Sequence, residues 1–342
     1  MKKSKPENFE PPYDAYTSVY PAEQVDITLA MVGVQFKPDD DAEATKLLDE
    51  ITNSMDAGAQ SPLHVERARE FDAFGYVNDI LLGYWRHEAD HAAWRESPDV
   101  LAWRKTPRSG AVGLWFEAFT APTDNLDPNY SLEDIQWGSG RHTEQKWERY
   151  HSYFGSMRDR IPKGHSGELD PEDRELMDRA RADSFKKRLT VTAPDGLCFI
   201  RGAFGWEQAT DEEQASFIED MFPVYKTGAH YLRDHPKETN CISLRFSSET
   251  ENGLRNGVQH ESLGWFMSLK DLERWAHSHP THLAIFKGTF DYMNKHSFNP
   301  KLNLGHEVFI VPAGRSLLEY VNCHPQTGFL RFFEAKELPT GA

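Results

Sequence analysis

Three stretches of the chain hold residue types and spacings from which chemistry could be built. His277-Ser278-His279-Pro280-Thr281-His282 gathers three imidazoles around a proline and runs into apolar Leu283-Ala284-Ile285-Phe286. Proline suits the first position of a helix, where its missing N–H costs nothing. A helix begun at Pro280 therefore presents His282 in its first turn, with Phe286 one turn further on. A neutral imidazole aimed into an apolar, aromatic-lined space is what a proximal haem ligand requires; the competing reading is helix capping or surface histidines. His306, in Leu304-Gly305-His306-Glu307-Val308, opens a strand, where it either faces such a ligand across a pocket or is a buried, hydrogen-bonded core histidine. In Gly155-Ser156-Met157-Arg158-Asp159-Arg160-Ile161-Pro162 the paired arginines read as a surface salt-bridge cluster or, inside a pocket, as a holder of a carboxylate or a substrate oxygen.

His87-Glu88-Ala89-Asp90-His91 matches the HExxH pattern of zinc hydrolases, in which helical histidines at i and i+4 share a metal. Charged Asp90 inside the motif and Arg86 before it argue against a buried metal helix. The expectation is that His87 and Glu88 open an exposed helix while His91 packs beneath it. Cys198, Cys241 and Cys323, an odd number without CxxC, supply neither a disulfide framework nor a thiolate metal site. CxxCH is absent as well, so a haem would be bound without thioether links.

The elements that must position these residues follow from hydrophobic period. After an aperiodic arm of some twenty residues, expected to wrap over something, residues 25–36 read as a strand and 39–55 as a helix. A strand or hairpin arm (74–85), a helix (87–104) and another strand (112–119) complete a first β-α-β-α-β unit. Residues 121–188, rich in Pro, Asp, Asn and charge, read as a long connection that carries something useful. Beyond it, 189–204 reads as a β-hairpin turning at Pro194-Asp195-Gly196, followed by an amphipathic helix near 210–234. Strands at 241–249 and 261–269, a helix from Lys270, and terminal strands at 306–313 and 316–323 come last.

An internal repeat decides the architecture. At an offset of 181, Gly83-Tyr84-Trp85 aligns with Gly264-Trp265-Phe266, Asp90 with Asp271, Trp94 with Trp275 and Ser97 with Ser278. The same offset equates His91 with Leu272, a packing position, and shows the 277–282 histidines to be a departure from the first copy. Two copies of an antiparallel sheet with helices predict an α+β chain of tandem ferredoxin-like units, their sheets facing as a dimeric-α/β-barrel-type core with helices outside. The expected divisions are 1–120 (arm and first unit), 121–188 (connection with distal residues) and 189–342 (second unit with the ligand helix).

Composition bounds the partners. With 342 residues, 38 basic against 54 acidic side chains and a net charge of −16, the chain offers no concentrated basic surface, so nucleic acid is not an expected partner. No window of about 18 apolar residues exists and the amino terminus lacks an apolar h-region, so no membrane span and a cytoplasmic location are expected.

The segments YFGSMRDRIP, LERWAHSHPTHLAIF, HEV and EYVNCHPQTGFLR resemble the aldoxime dehydratases, haem b lyases that convert aldoximes to nitriles. The likeness extends to PPYDAY, VGVQF and the LGYW strand followed by the helix of Trp94, and so covers nearly the whole chain. It implies tandem ferredoxin-like units, usually homodimeric, with His282 as proximal iron ligand. His306 is then the distal acid/base and Arg160 the distal arginine. An acidic partner falls at Asp127, after Ala121-Pro122 and Leu126, with Asp where relatives carry Glu and one residue fewer. The implied chemistry places the aldoxime nitrogen on ferrous iron opposite His282, while His306 first protonates the departing hydroxyl and then removes the carbon-bound proton. One position departs: relatives read Ile-Arg-Ser, with the hydroxyl on the oxime oxygen, where this chain has Ile200-Arg201-Gly202. Either another group or a water holds that oxygen, or the substrate is not a simple aldoxime. The alternatives are a related haem enzyme acting on a different N–O or N–N substrate and a non-enzymatic haem carrier or gas sensor.

Overall fold

The structure, a computed structural model, describes residues 3–339 except 57, 59, 136, 179–182, 207 and 250–259. A short strand, β1 (Tyr16–Val19), precedes β2 (Asp26–Phe36), α1 (Asp41–Asp56), β3 (Val65–Phe71), β4 (Val77–Trp85), α2 (Glu88–Arg95), α3 (Pro98–Lys105) and β5 (Gly113–Pro122). The middle of the chain holds β6 (Leu126–Tyr130), β7 (Glu144–Trp147) and α4 (Ser156–Arg160). The remainder is β8 (Arg188–Val191), β9 (Leu197–Gly205), α5 (Asp211–Ser216), α6 (Phe222–Asp234), α7 (Pro236–Thr239), β10 (Cys241–Glu249), β11 (His260–Phe266), α8 (Leu269–Ser278), α9 (Pro280–Lys295), β12 (Asn303–Val311), β13 (Ser316–Val321) and β14 (Ala335–Leu338). No helix among the described residues is long and apolar enough to cross a membrane.

The strands form one antiparallel sheet in the order β14-β8-β13-β5-β2-β4-β3-β10-β11-β9-β12-β6-β1-β7. Two stretches of it share a pattern: β2-α1-β3-β4-α2/α3-β5 is ordered β5-β2-β4-β3, and β9-α5/α6/α7-β10-β11-α8/α9-β12 is ordered β12-β9-β11-β10. The halves join edge to edge through β3 and β10. Strand β2 shows why its sequence is apolar without alternation, since both of its faces are buried. Ile27, Leu29 and Met31 enter a core shared with Phe199, Trp265 and Phe309 of the second half, whereas Ala30, Val32 and Val34 pack under α1 to α3. Phe119 fixes that shared core, its ring 5.1 Å from those of Phe199 and Trp265 and 5.2 Å from that of Phe309. A buried ionic clamp crosses the same interface: Glu117 of β5 accepts from Arg245 at 2.6 and 2.9 Å, from Trp265 Nε1 at 2.9 Å and from Tyr320 Oη at 2.9 Å.

The helix from Lys270 ends at Ser278, and the helix expected to begin at Pro280 follows it. Three expectations change. The 87–104 helix is two helices, because Ser97 takes an extended backbone and Pro98 starts α3 at its first position. No hairpin forms over 189–204. Strand β8 pairs with β13 and β14, whereas β9 pairs with β11 and β12, and the Asp195 carboxylate at the expected turn accepts from Ala313 N at 2.7 Å. The 121–188 connection is partly built into the sheet, through β6 on β12 and β7 on β1.

The HExxH histidines do not share a helical face. His87 is exposed, with an extended backbone before α2, whereas His91 is buried against the rings of Trp85 and Trp94. Leu272, its counterpart in the repeat, is buried as well. Burial, aided by Arg95 and Arg104, pushes the His91 pKa down from 6.5 to about 3, and its Nε2 has no hydrogen-bond partner. As pH falls below 6.5 the unfolded chain takes up a proton here that the folded chain refuses until about 3, so stability drops across that window by at most about 1.4 kcal/mol per pH unit. His91→Leu should keep stability at pH 7 within about 1.5 kcal/mol of the parent and flatten the dependence between pH 6.5 and 3. Thermal melts over that pH range test this, and a large loss at pH 7 or release of bound zinc would show a different role for His91.

Candidate active site

Between the second half of the sheet and its helices lies a cavity of about 580 Å3, within the range of ligand and cofactor pockets, about 300–1,000 Å3. Its walls are mostly apolar, with Ile200, Phe204, Leu244, Phe266, Ile285 and Leu304 among them. His282, His306, Arg160 and Gly202 all line it, and Asp127 lies fully buried behind them. Residues as far apart as Asp127 and His306, separated by 179 positions, therefore meet through β12, β9, β6, α4 and α9.

His282 arrives in the first turn of α9 for the reason its sequence gives: Pro280 occupies the first position and His279 caps it, its Nδ1 accepting from Thr281 N at 3.3 Å. The His282 ring lies edge-on to Trp275, centroids 4.7 Å apart. Burial, with His306 acting in the same sense, pushes its pKa down to about 4, so the imidazole is neutral at pH 7. The Ala276 backbone pulls the other way but completes no hydrogen bond to Nδ1, and that buried atom has no partner. Trp275 itself illustrates how the halves diverged, since Trp94 occupies the matching place as a core residue.

Three side chains meet on the sheet side. Arg160 grips Asp127 with two hydrogen bonds, both at 2.6 Å, and donates to the Tyr150 carbonyl at 2.7 Å. His306 Nε2 lies 3.0 Å from Arg160 Nη2 and 3.1 Å from Asp127 Oδ2. Strand register explains the meeting: Asp127 pairs with Val308, so its side chain shares the face of His306 two residues away. Burial disfavours the Asp127 charge, but Arg160 and the His306 hydrogen bond outweigh it and hold the carboxyl below its usual range.

The two arginines of α4 part company. Arg160 turns to the cavity, whereas Arg158 pairs with Glu273 at 2.7 Å and Asp170 at 2.8 Å, the salt-bridge alternative. Between them Asp159 accepts from the backbone N–H groups of Ser4 and Lys5 at 2.8–3.0 Å, pinning the amino-terminal arm so that Ser4, Tyr13 and Ala15 form part of the cavity wall. That is what the arm wraps over.

Sequence reasoning missed two hydroxyls on this wall, Tyr225 of α6 and Ser262 of β11, both beside Gly202. No local motif marks either. They come together only through sheet register and a helix preceded by a π-helical turn at Phe217–Met221, a feature often found at functional sites.

Comparisons with known proteins place the chain among its relatives. The chain is 35% identical to phenylacetaldoxime dehydratase of Bacillus sp. (strain OxB-1), with 98% of this chain and 96% of that one covered. It is 30% identical to aliphatic aldoxime dehydratase of Pseudomonas chlororaphis, over 97% and 94%. A crystal structure of aldoxime dehydratase superposes with a TM-score of 0.87 at 28% identity, over 97% of this chain and 95% of that one. Another, in complex with butyraldoxime, gives 0.86 at 27% identity, over 97% and 92%. Residues 30–329 match the model of one family, and with relatives aligned along nearly their full length this chain belongs to the haem-containing dehydratases.

Proposed function

We propose that this chain dehydrates aldoximes to nitriles with a ferrous haem b held by His282, using His306 as acid and then base. The observation that carries this reading is the His306 imidazole, held at Nε2 between Arg160 and Asp127 in the wall of the same apolar cavity that the neutral His282 enters. The proteins it most needs to resemble bear the names of phenylacetaldoxime and aliphatic aldoxime dehydratases.

The residues suit a haem. An imidazole kept neutral by burial has its lone pair available, its buried Nδ1 is satisfied by no protein group among the described residues, and the surrounding wall is apolar. When bound, the haem supplies an iron to hold the oxime nitrogen and the electron density that weakens the N–O bond.

The chain's own part is proton handling. Arginine only donates, so Arg160 bonds to Nε2 when that nitrogen is unprotonated, and Asp127 accepts when it carries a proton. With Nε2–H on Asp127, the Nδ1 edge, which makes no protein hydrogen bond among the described residues, is the one free to act. Nδ1–H protonates the leaving oxygen as the N–O bond breaks; Nδ1 then takes the proton from carbon as the third carbon–nitrogen bond forms. Water and nitrile leave, and His306 ends as it began. Asp127 holds the ring, and Arg160 keeps Asp127 ionised.

The fold reading is ours in the same way. The shared strand order supports two ferredoxin-like units closing a dimeric-α/β-barrel-type core. The chain divides into 1–120, 121–188 and 189–342, with β8, β13 and β14 returning to the edge of the first half, and works as a cytoplasmic homodimer.

Anaerobic turnover of phenylacetaldoxime and butyraldoxime by the dithionite-reduced, haem-loaded protein, with nitrile measured directly, tests the function; no nitrile from either overturns it. His282→Ala should lose the Soret band, or regain it only with added imidazole, and an unchanged haem spectrum would remove the assignment. His306→Ala should keep haem and lose turnover by about 10²- to 10⁴-fold, the usual worth of general acid–base catalysis. A loss below tenfold would take the proton transfers away from His306.

A further inference from the structure

Three strands set His306, Gly202 and Ser262 side by side in one row, since His306 pairs with Gly202 across β12 and β9, and Gly202 with Ser262 across β9 and β11. All three line the cavity. Neighbouring strands lie about 4.8 Å apart, so the imidazole and the serine hydroxyl flank a gap one strand wide, in which Gly202 places no side chain. Its backbone lies outside the left-handed region; space, not conformation, is what the glycine provides. Tyr225 reaches that gap from the helical side. A Cβ on Gly202 would stand 3.0 Å from Tyr225 Oη and 3.3 Å from Ser262 Oγ.

The two hydroxyls are 2.5 Å apart, and Tyr225 Oη is 3.2 Å from the Gly202 carbonyl oxygen. Between them they own two protons. One lies in the bond joining them, and the other has only the Gly202 carbonyl, beyond the usual 2.5–3.0 Å range for an O–H donor. A donor with so weak an acceptor, in a wall that is otherwise largely apolar, has a strong bond to gain from any oxygen that enters beside it. Burial raises the Tyr225 phenol well above its ordinary value, so it stays protonated and can only share this proton, never release it.

We propose that the Tyr225–Ser262 hydroxyl pair is the subsite for the substrate's oxime oxygen, hydrogen-bonding it across the Gly202 gap while His306 protonates it from the other side. The inference rests on the aldoxime reading above. It gives Gly202 a reason of its own: a side chain there would occupy the place where the pair meets the oxygen. Tyr225 and Ser262 are positioning residues, because neither gains nor loses a proton over the reaction.

The test uses the haem-loaded full chain and its Tyr225→Phe, Ser262→Ala and doubly substituted forms. Three quantities are read: haem per chain, the spectral dissociation constants of butyraldoxime and of imidazole, and butyraldoxime turnover. Imidazole is a nitrogen ligand without the oxygen. The expected result is butyraldoxime binding and kcat/KM each weaker by about 10- to 100-fold in the double variant, with haem content and imidazole affinity within twofold of the parent. Unchanged aldoxime binding and turnover in an active parent's variants would overturn the subsite and leave the dehydratase reading standing. A parallel loss of haem or imidazole affinity would make the pair a structural prop and overturn the subsite as well. A haem-loaded parent that turns over no aldoxime overturns both.

Discussion

A buried guanidinium fixes the register on which the cavity depends. Arg201 is fully buried and meets Glu66 and Glu261, the latter at 2.6 Å, and donates to Tyr84 Oη at 3.0 Å; Tyr84 in turn donates to Glu307 at 2.9 Å. A charge removed from water must be paired, and a buried pair left incomplete costs several kcal/mol, about 3–5. Strand residues alternate between faces, so turning Arg201 and Glu307 toward the first half of the sheet turns Gly202 and His306 toward the helices. Slipping β9 or β12 by one residue would drive charge into the apolar cavity and bury the imidazole in the core. Burial and the neighbouring Glu66 charge raise Glu261, whereas Arg201, His64 and their hydrogen bonds overcome burial to hold Glu66 at about 2. The one guanidinium thus serves two carboxylates whose ionisation is pushed in opposite directions.

The halves share a strand order but not a use. In the first, α2 and α3 cover their sheet with Trp94, Trp103 and Val100, which pack into its core. In the second, the break between α8 and α9 comes one residue later than that between α2 and α3 (His279 against Ser97, an offset of 182 where the rest of the repeat keeps 181). One residue is about 100° of helix phase, since a turn takes 3.6 residues. The helix after the break therefore presents a different stripe, and His282 and Ile285 with Phe286 line a space instead of filling it.

Legibility in the sequence tracked how local each cause was. His282 could be placed because proline at the first helical position is a one-turn effect, and His91 because the repeat supplied Leu272 as its counterpart. Strand β6 was hidden: Leu126-Asp127-Pro128-Asn129-Tyr130 carries turn residues, and it becomes a strand only because β12 pairs with it over Pro128 and its neighbours. The expected hairpin failed for the converse reason, since Pro194-Asp195-Gly196 has genuine turn chemistry that the fold directs to Ala313, in the turn between β12 and β13. Arg158 and Arg160 were alike in sequence because two residues on a helix point to nearly opposite sides, and only the neighbours tell them apart. Tyr225 and Ser262 were invisible, being ordinary residues of a helix and a strand until register sets them 2.5 Å apart.

Helix α4 is five residues long, below what a helix sustains alone. Its three consecutive charged residues hold it from three directions. Arg158 binds Glu273 on α8, the helix that leads directly into α9 and His282. Asp159 takes the amino-terminal arm together with the Tyr153 hydroxyl at 2.8 Å and His165 at 2.7 Å. Arg160 takes Asp127 and His306. The helix of His282, the cover and the His306 imidazole are thus tied to one short segment by charge-assisted hydrogen bonds, which are shorter and stronger than neutral ones. Such a segment cannot move to relieve a misplaced Arg160 without breaking its other two attachments. The precision needed at His306 is therefore borne by side chains outside the cavity, in a stretch whose composition, taken alone, reads as a solvated loop.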